Sequence, residues 1–592
     1  MHLRTVVAAV TFAAGALAPA TLAQAAGAPI MPLSEVQPGM MCTGASVVRG
    51  TTIDTFNVHI DDVLRARDIG DARLLFTVSG PAVDATGIGP GFSGSPITCT
   101  GADGVARVAG AISESIGEYG GKRALARPIE AILAEPADPT HGAKVARAAQ
   151  PVVPGARPIA EPLTLSGLDP ELGRVFEAAA RRAHRTLFAA PAAPPVFGQA
   201  AQVLTTPLVP GGAVAVDYST GDVSAAAIGT VVYVDGDRAW LFGHQLDGAG
   251  RRSLTLSTAY VYTVISNPLS LADSETYKLA APMSDIGTLV QDGVNGVVGR
   301  VGPLPRRYPF RVITIDSDRN ARRDLTSQIA DERGVGSPGL DSTLATVAAG
   351  EVAQGAYATM QGLPANLSGR VCVRVTVRQR PKPMSFCNTY VGVGGGPAAF
   401  ANGAIVQDVG AAALLLESYT AGPLDITDAR VGMRLSRSLR LGTIMSAKGP
   451  LVVRRGTSAK VVLTLRGSGG ARFTRTITVP IPRTMPAGPR DLLLSGHGED
   501  GPGDLSGGAS LADLLGGGSS EPAAPATVKE LAQQFAAFHR EDGLGARFLH
   551  IGGRPRADLP GGAEGVAQRR RFVFRSDTLR IAGTKRVAVL VR

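Results

Sequence analysis

Along much of the chain apolar residues alternate with polar ones in short runs, and glycine, proline, asparagine and aspartate cluster between the runs. A two-residue period puts successive side chains on opposite faces of a strand, so these runs predict many short strands joined by turns. Strands are expected at 44–48, 55–63, 74–78 and 105–112, then through a second β region ending near 339. Later ones are clearest at 370–377, 460–465 and 475–479. Helical spacing shows in two places. Leu172, Val175, Phe176 and Ala179 recur behind an Asp169 cap and a proline, Pro170, at the first helical position. Leu531, Phe535 and Phe538 share a face behind the capping box formed by Thr527 and Glu530.

Composition shifts divide the chain. Residues 1–25 read as a signal peptide: Arg4, an apolar run over 6–17, then the small-x-small stretch Ala23-Gln24-Ala25. The run is too short for a mature membrane anchor. A β region follows at 27–135, a proline-rich linker with one helix at 136–211, and a second β region at 212–345. Beyond lie a β module at 346–424, an immunoglobulin-like β module at 425–496, a flexible linker at 497–526, and a C-terminal helix and strands at 527–592. The fold class expected is therefore mainly β, with β-sandwich-type accessory modules and a small C-terminal α/β piece. The helix near 166–187 is expected to close the interface between the two β regions.

Charge and cysteine usage narrow the function. The net charge of +10 is spread over interleaved acidic and basic residues. Such a surface favours anionic cell-envelope polymers weakly. With no basic stripe carrying interleaved aromatics, it gives no indication of nucleic-acid binding. Four cysteines in an exported chain suggest two disulfides, most simply Cys42 with Cys99 and Cys372 with Cys387, though three connectivities exist. Zinc would want a Cys-x-x-Cys pair, which is missing.

The segment richest in chemistry is Gly87-Ile88-Gly89-Pro90-Gly91-Phe92-Ser93-Gly94-Ser95-Pro96. A serine nucleophile needs a tight turn that presents its hydroxyl, with glycines that let a substrate carbonyl reach the backbone. The amides of Ser93 and Gly91 are then the expected oxyanion hole. The bland alternative is a glycine-rich turn and nothing more. For a base, most histidines fall in linkers, on helices or in the remote C-terminal unit. Two remain. His59 lies in an alternating strand beside Asp61 and Asp62, and His244 ends the apolar run Ala239-Trp240-Leu241-Phe242-Gly243.

Three segments resemble the SpoIVB peptidase family of bacterial serine proteases. The first is Met31-Pro32-Leu33-Ser34-Glu35-Val36-Gln37-Pro38-Gly39-Met40 with Gly50-Thr51-Thr52-Ile53. The second runs from Ser79-Gly80-Pro81 to the Gly91-Phe92-Ser93-Gly94-Ser95-Pro96 turn, where the family has methionine in place of Phe92. The third is Gly229-Thr230-Val231-Val232-Tyr233-Val234-Asp235-Gly236-Asp237 leading to Phe242-Gly243-His244. The resemblance covers about residues 30–305 and implies a chymotrypsin-like pair of half-barrels. It also implies Ser93 as nucleophile, His244 as base and a protein or peptide substrate, the chain itself included, with no metal or organic cofactor.

Three departures accompany it. The serine precedes the histidine, as in a permuted arrangement; no PDZ module is visible; and Gly80 beside Pro81 stands where an aspartate is expected. The third triad member is left between Asp292, in a turn after His244, Asp84, close before Ser93, and a dyad oriented by a backbone carbonyl or water. The expectation is a secreted or cell-surface serine endopeptidase. The rival is a catalytically silent exported scaffold that binds cell-wall polymer or protein.

Overall fold

A computed structural model describes residues 27–592 except 118–119, 139–152, 154, 160–161, 193–207, 267–275, 333–342, 393, 497–509, 517–523, 539–542, 551–570 and 577. The expected signal peptide lies outside the described residues, as do His141, His497 and His539. Strands take up 51% of the described residues and helices 15%, so sheet pairing sets the architecture.

Six strands build the first body: β1 (Met41–Arg49), β2 (Thr52–Leu64), β3 (Arg73–Ser79), β4 (Pro96–Thr100), β5 (Ala106–Ser115) and β6 (Arg123–Pro128). They pair in the order β1-β2-β3-β6-β5-β4, and β4 returns to β1, which closes a barrel and removes its free edges. Alternation decides what fills it. Phe56, Val58 and Ile60 of β2 point inward with Leu74, Phe76 and Val78 of β3, while Asn57, His59 and Asp61 point outward. The Cys42–Cys99 disulfide joins directly opposed residues of β1 and β4.

The plan is repeated by β7 (Ala213–Gly221), β8 (Ser224–Asp235), β9 (Arg238–Leu241), β10 (Gly250–Ile265), β11 (Tyr277–Asp292) and β12 (Val297–Val301). Their order is β7-β8-β9-β12-β11-β10, and β10 pairs back with β7. By position within each ring, both barrels read 1-2-3-6-5-4. The connection from third to fourth strand therefore occupies an equivalent place in each.

The barrels meet over two apolar patches. Val108, Ala111, Ile129 and Ile132 pack on Val232, Tyr233, Trp240 and Val298. Val47 and Ile53 pack on a set of small residues that includes Ala213, Ala215, Ala226 and Ala280. Gly50 and Val261 exchange backbone hydrogen bonds of 2.7 and 3.0 Å across the same seam.

The second sheet runs on past its barrel. The hairpin Arg307–Asp316 and Ala321–Ala330 pairs with β7, and Ile426–Ser436, Ser368–Val377 and Arg380–Val391 extend it. The second disulfide, Cys372–Cys387, bridges the last two strands at opposed positions, so both pairings follow sequence order. Two disulfides and no free cysteine among the described residues fit an oxidising compartment.

Several boundaries differ from the sequence expectation. Residues 346–424 are not β alone: helices Thr343–Met360 and Ala404–Glu417 flank the strands Ser368–Val377 and Arg380–Val391 and cover the extended sheet. Both are apolar nearly all round, because each is buried between sheet and neighbouring helices, so neither shows the one-sided stripe of a surface helix. The second, with the short helix before it, is apolar enough to cross a membrane by composition alone, yet most of it is core. The expected helix forms at Pro170–Arg182, with Asp169 accepting from the Glu171 amide at 3.0 Å. It packs on the helical layer and not on the barrel seam: Gln354 accepts from the Asp169 amide, and Tyr357 donates to Glu171. Inside the expected linker 497–526, Leu511–Gly516 is a helix whose Leu514 packs against Gly410. Residues 425–496 and 527–592 are likewise not separate units. Leu441–Lys448, Ser458–Gly467 and Arg472–Pro480 pair with Arg580–Ala582, while Gly488–Ser495 pairs with Gly543–His550 and Thr584–Val591. Together they form one interlocked sandwich around Val461, Leu463, Leu492, Leu494, Val587 and Val589.

Candidate active site

Ser93 lies on the β3–β4 connection and His244 on the β9–β10 connection, the same link in two barrels of one topology. These two connections face each other across the seam. The Gly94 amide donates to Ile112 O at 2.8 Å, and the Thr230 amide donates to Ser93 O at 2.9 Å. A Cβ on Gly94 would sit 2.6 Å from the Phe242 nitrogen, and one on Gly243 would sit 3.1 Å from Ile112 O.

Local conformation explains the glycines of the serine turn. Gly91 has φ +90° and Gly94 φ +84°, the left-handed region that a side chain strains. Phe92 N donates to Gly89 O and Ser95 N to Phe92 O, both at 2.9 Å, so two tight turns follow one another. In a trans peptide, C=O and N–H point in opposite directions. Pro90 O is held by the Lys278 amide at 2.9 Å and Phe92 O by the Ser95 amide, which fixes the directions of the Gly91 and Ser93 amides. Among the described residues neither of those two amides donates a hydrogen bond. They are the two amides expected to hold an oxyanion.

The Ser93 side chain is fully buried, and its Oγ has no hydrogen-bond partner. Buried hydroxyls are nearly always paired, so an orphan of this kind calls for a reason. His244 is 2% exposed. Two consecutive left-handed residues aim it, Phe242 at φ +66° and Gly243 at φ +69°. A bulky residue in that region is strained. Packing holds it there: the Phe242 ring fills the space beside Gly229, where a Cβ would lie 2.4 Å from it. His244 Nδ1 lies 2.6 Å from Gln245 O, so a backbone carbonyl orients the imidazole. Burial pulls its pKa down to about 4, against the opposing pull of that carbonyl. The ring is therefore neutral at physiological pH, as a general base must be. No hydrogen bond joins Ser93 Oγ to His244 in this structure, and proton transfer needs the two drawn to about 3 Å.

The remaining expected residues fall as follows. Asp292 is fully buried, but its oxygens accept from the amides of Leu246 at 2.7 Å, Asp247 at 2.8 Å and Ala249 at 3.0 Å. It anchors the loop after His244 instead of meeting the imidazole, which corrects its expected place as third triad member. Burial raises its pKa while those amides and Arg252, 3.7 Å away, lower it. Asp84 is at the surface, paired with Lys122 at 3.0 Å. His59 is half exposed on the outer face of β2, bonded to Asp61 at 2.8 Å, and away from Ser93 because its neighbours Val58 and Ile60 take the inward positions.

A polar cluster that no local pattern marks lies beneath the turn. Lys278 Nζ donates to Ser46 Oγ at 2.7 Å and Thr230 Oγ1 at 3.2 Å; Ser95 Oγ donates to Ser46 Oγ at 2.8 Å; Thr230 Oγ1 donates to Gly91 O at 2.9 Å. The four side chains come from four distant segments, and each reads locally as an ordinary strand or turn residue.

No family model, curated protein or solved structure matches this chain.

Proposed function

We propose that the protein is a serine endopeptidase of the SpoIVB type, exported and retained at or released from the cell surface. Ser93 attacks a peptide carbonyl while His244 takes its proton; the carbonyl oxygen, now negative, is received by the amides of Gly91 and Ser93. His244 returns the proton to the leaving amine, leaving an acyl ester on Ser93. Water, deprotonated by His244, then releases the acid. The observation that carries this reading is the orphan Ser93 hydroxyl on one barrel's third connection, facing the His244-bearing connection of the other barrel. Gln245 O takes the orienting role that an aspartate has in a triad.

Cleavage of a fluorogenic unstructured protein by the mature chain tests it. Turnover is expected in the native protein and a loss of several orders of magnitude in Ser93→Ala and in His244→Ala. The burial of the whole turn from Gly87 to Ile97 favours a second reading, an exported scaffold in which the turn only joins two barrels. No turnover in the native protein supports that reading instead, and unchanged turnover in both variants removes Ser93 and His244 from the chemistry.

A further inference from the structure

Resting on that peptidase reading, we infer that Lys278 is a positioning residue for the oxyanion hole, a buried charge supplied by the histidine-bearing barrel to the serine-bearing one. Lys278 is the second residue of β11 and is 3% exposed. Its backbone amide holds Pro90 O at 2.9 Å, which turns the Gly91 amide away from β11. Its stem lies along Gly91: a Cβ there would be 2.9 to 3.1 Å from the first three side-chain carbons of Lys278. Nζ sits 4.5 Å from the centroid of the Phe92 ring, a cation–π contact on the residue between the two oxyanion amides. Through Thr230 Oγ1, which donates to Gly91 O, the same nitrogen reaches the next peptide of the turn.

One residue thus touches the turn at three consecutive positions, Pro90 through its backbone amide and Gly91 and Phe92 through its side chain. In a site this dry, a fixed positive charge near the place where negative charge develops stabilises the transition state more than the bound substrate. A core lysine chosen for packing alone would not be threaded along a left-handed glycine that must stay free of a side chain. Ser46 and Ser95 complete the cradle from the first barrel, so the charge also registers one barrel against the other.

The test compares Lys278→Met, which keeps the stem and removes the charge, with Thr230→Val, which cuts the link to Gly91 O. Both are measured for turnover and for second-order reaction with a fluorophosphonate, with folding checked by thermal melting. Expected is a fall of roughly tenfold or more in kcat, with KM within about twofold, in Lys278→Met, and a smaller fall of the same kind in Thr230→Val. A folded Lys278→Met with native kcat overturns the proposal. If Lys278→Met does not fold, Thr230→Val decides: a native kcat there overturns the proposal, and a lowered one upholds it. A native protein that neither turns over substrate nor takes the label overturns the peptidase reading and this inference with it. A native protein that labels at Ser93, alongside a Lys278→Met that labels equally fast, overturns the inference alone.

Discussion

Gly94 of the serine turn lies directly against the backbone of Phe242, two residues before His244: a Cβ added to Gly94 would be 2.6 Å from Phe242 N and 2.2 Å from Thr230 O. The approach of the two candidate catalytic residues therefore depends on the absence of one methyl group. Gly94→Ala is expected to push the connections apart and to lower kcat/KM by about a hundredfold or more, since a displacement of this size misaligns reacting groups. Circular dichroism of the variant should still report β structure, because each barrel closes by its own strand pairing.

The burial of His244 has a pH signature. Because the folded pKa is about 4, kcat/KM should fall on the acid side with a midpoint near 4 rather than at the ordinary histidine value of 6.5. Stability follows the same group. The folded pKa lies below the unfolded one, so protons bind the unfolded chain more strongly. The stability is fully present above pH 6.5 and is lost as pH falls from there through about 4. The loss amounts to about 3 kcal/mol. In His244→Gln, urea unfolding at a series of pH values should lack that increment.

Glu351 provides the opposite case. It is buried under the sheet on the Thr343–Met360 helix, and burial raises its pKa to about 8. The folded form binds the proton more tightly, so stability is complete below the unfolded value near 4.5 and is lost as pH rises through about 8. Glu351→Gln should remove up to about 5 kcal/mol of destabilisation at alkaline pH and change little at pH 4. Denaturant midpoints at pH 4 and pH 9 check this directly.

Asp292 separates anchoring from triad chemistry. Its three amide hydrogen bonds make Asp292→Ala costly, on the order of 3 kcal/mol or more, since each charge-assisted bond is worth about 1.5–3. A direct triad aspartate replaced by asparagine loses about four orders of magnitude in kcat through the wrong imidazole tautomer. Here the imidazole is oriented by Gln245 O, so Asp292→Asn should lose far less than that in single-turnover measurements.

The sequence showed the barrels wherever one face of a strand is buried and the other wet, as in β2, where Phe56, Val58 and Ile60 alternate with Asn57, His59 and Asp61. Both disulfides were legible from compartment and order. Hidden were elements buried on all sides: the Thr343–Met360 helix has no polar face to set its period apart. Hidden too was the closure of each ring, since β4 meeting β1 is a contact between distant segments with no local signal. Ser93 could be singled out because glycines mark a tight turn, whereas His244 was preferred to His59 only through the resemblance to the SpoIVB peptidases. Lys278, Thr230 and Ser46 could not, because their meaning comes from three strands converging. Asp292 was misplaced for a related reason: spacing along the chain put it near His244, but the loop amides in between reach its carboxylate first.

The central claim is that Ser93 is a nucleophile activated across the barrel seam. Its most direct test is intact-mass and peptide-mapping analysis of the mature protein after exposure to a fluorophosphonate, alongside Ser93→Ala and His244→Ala. The account predicts a single adduct on the native protein, mapped to Ser93 and missing from both variants. No adduct on the native protein, or an adduct that persists in Ser93→Ala, would contradict it.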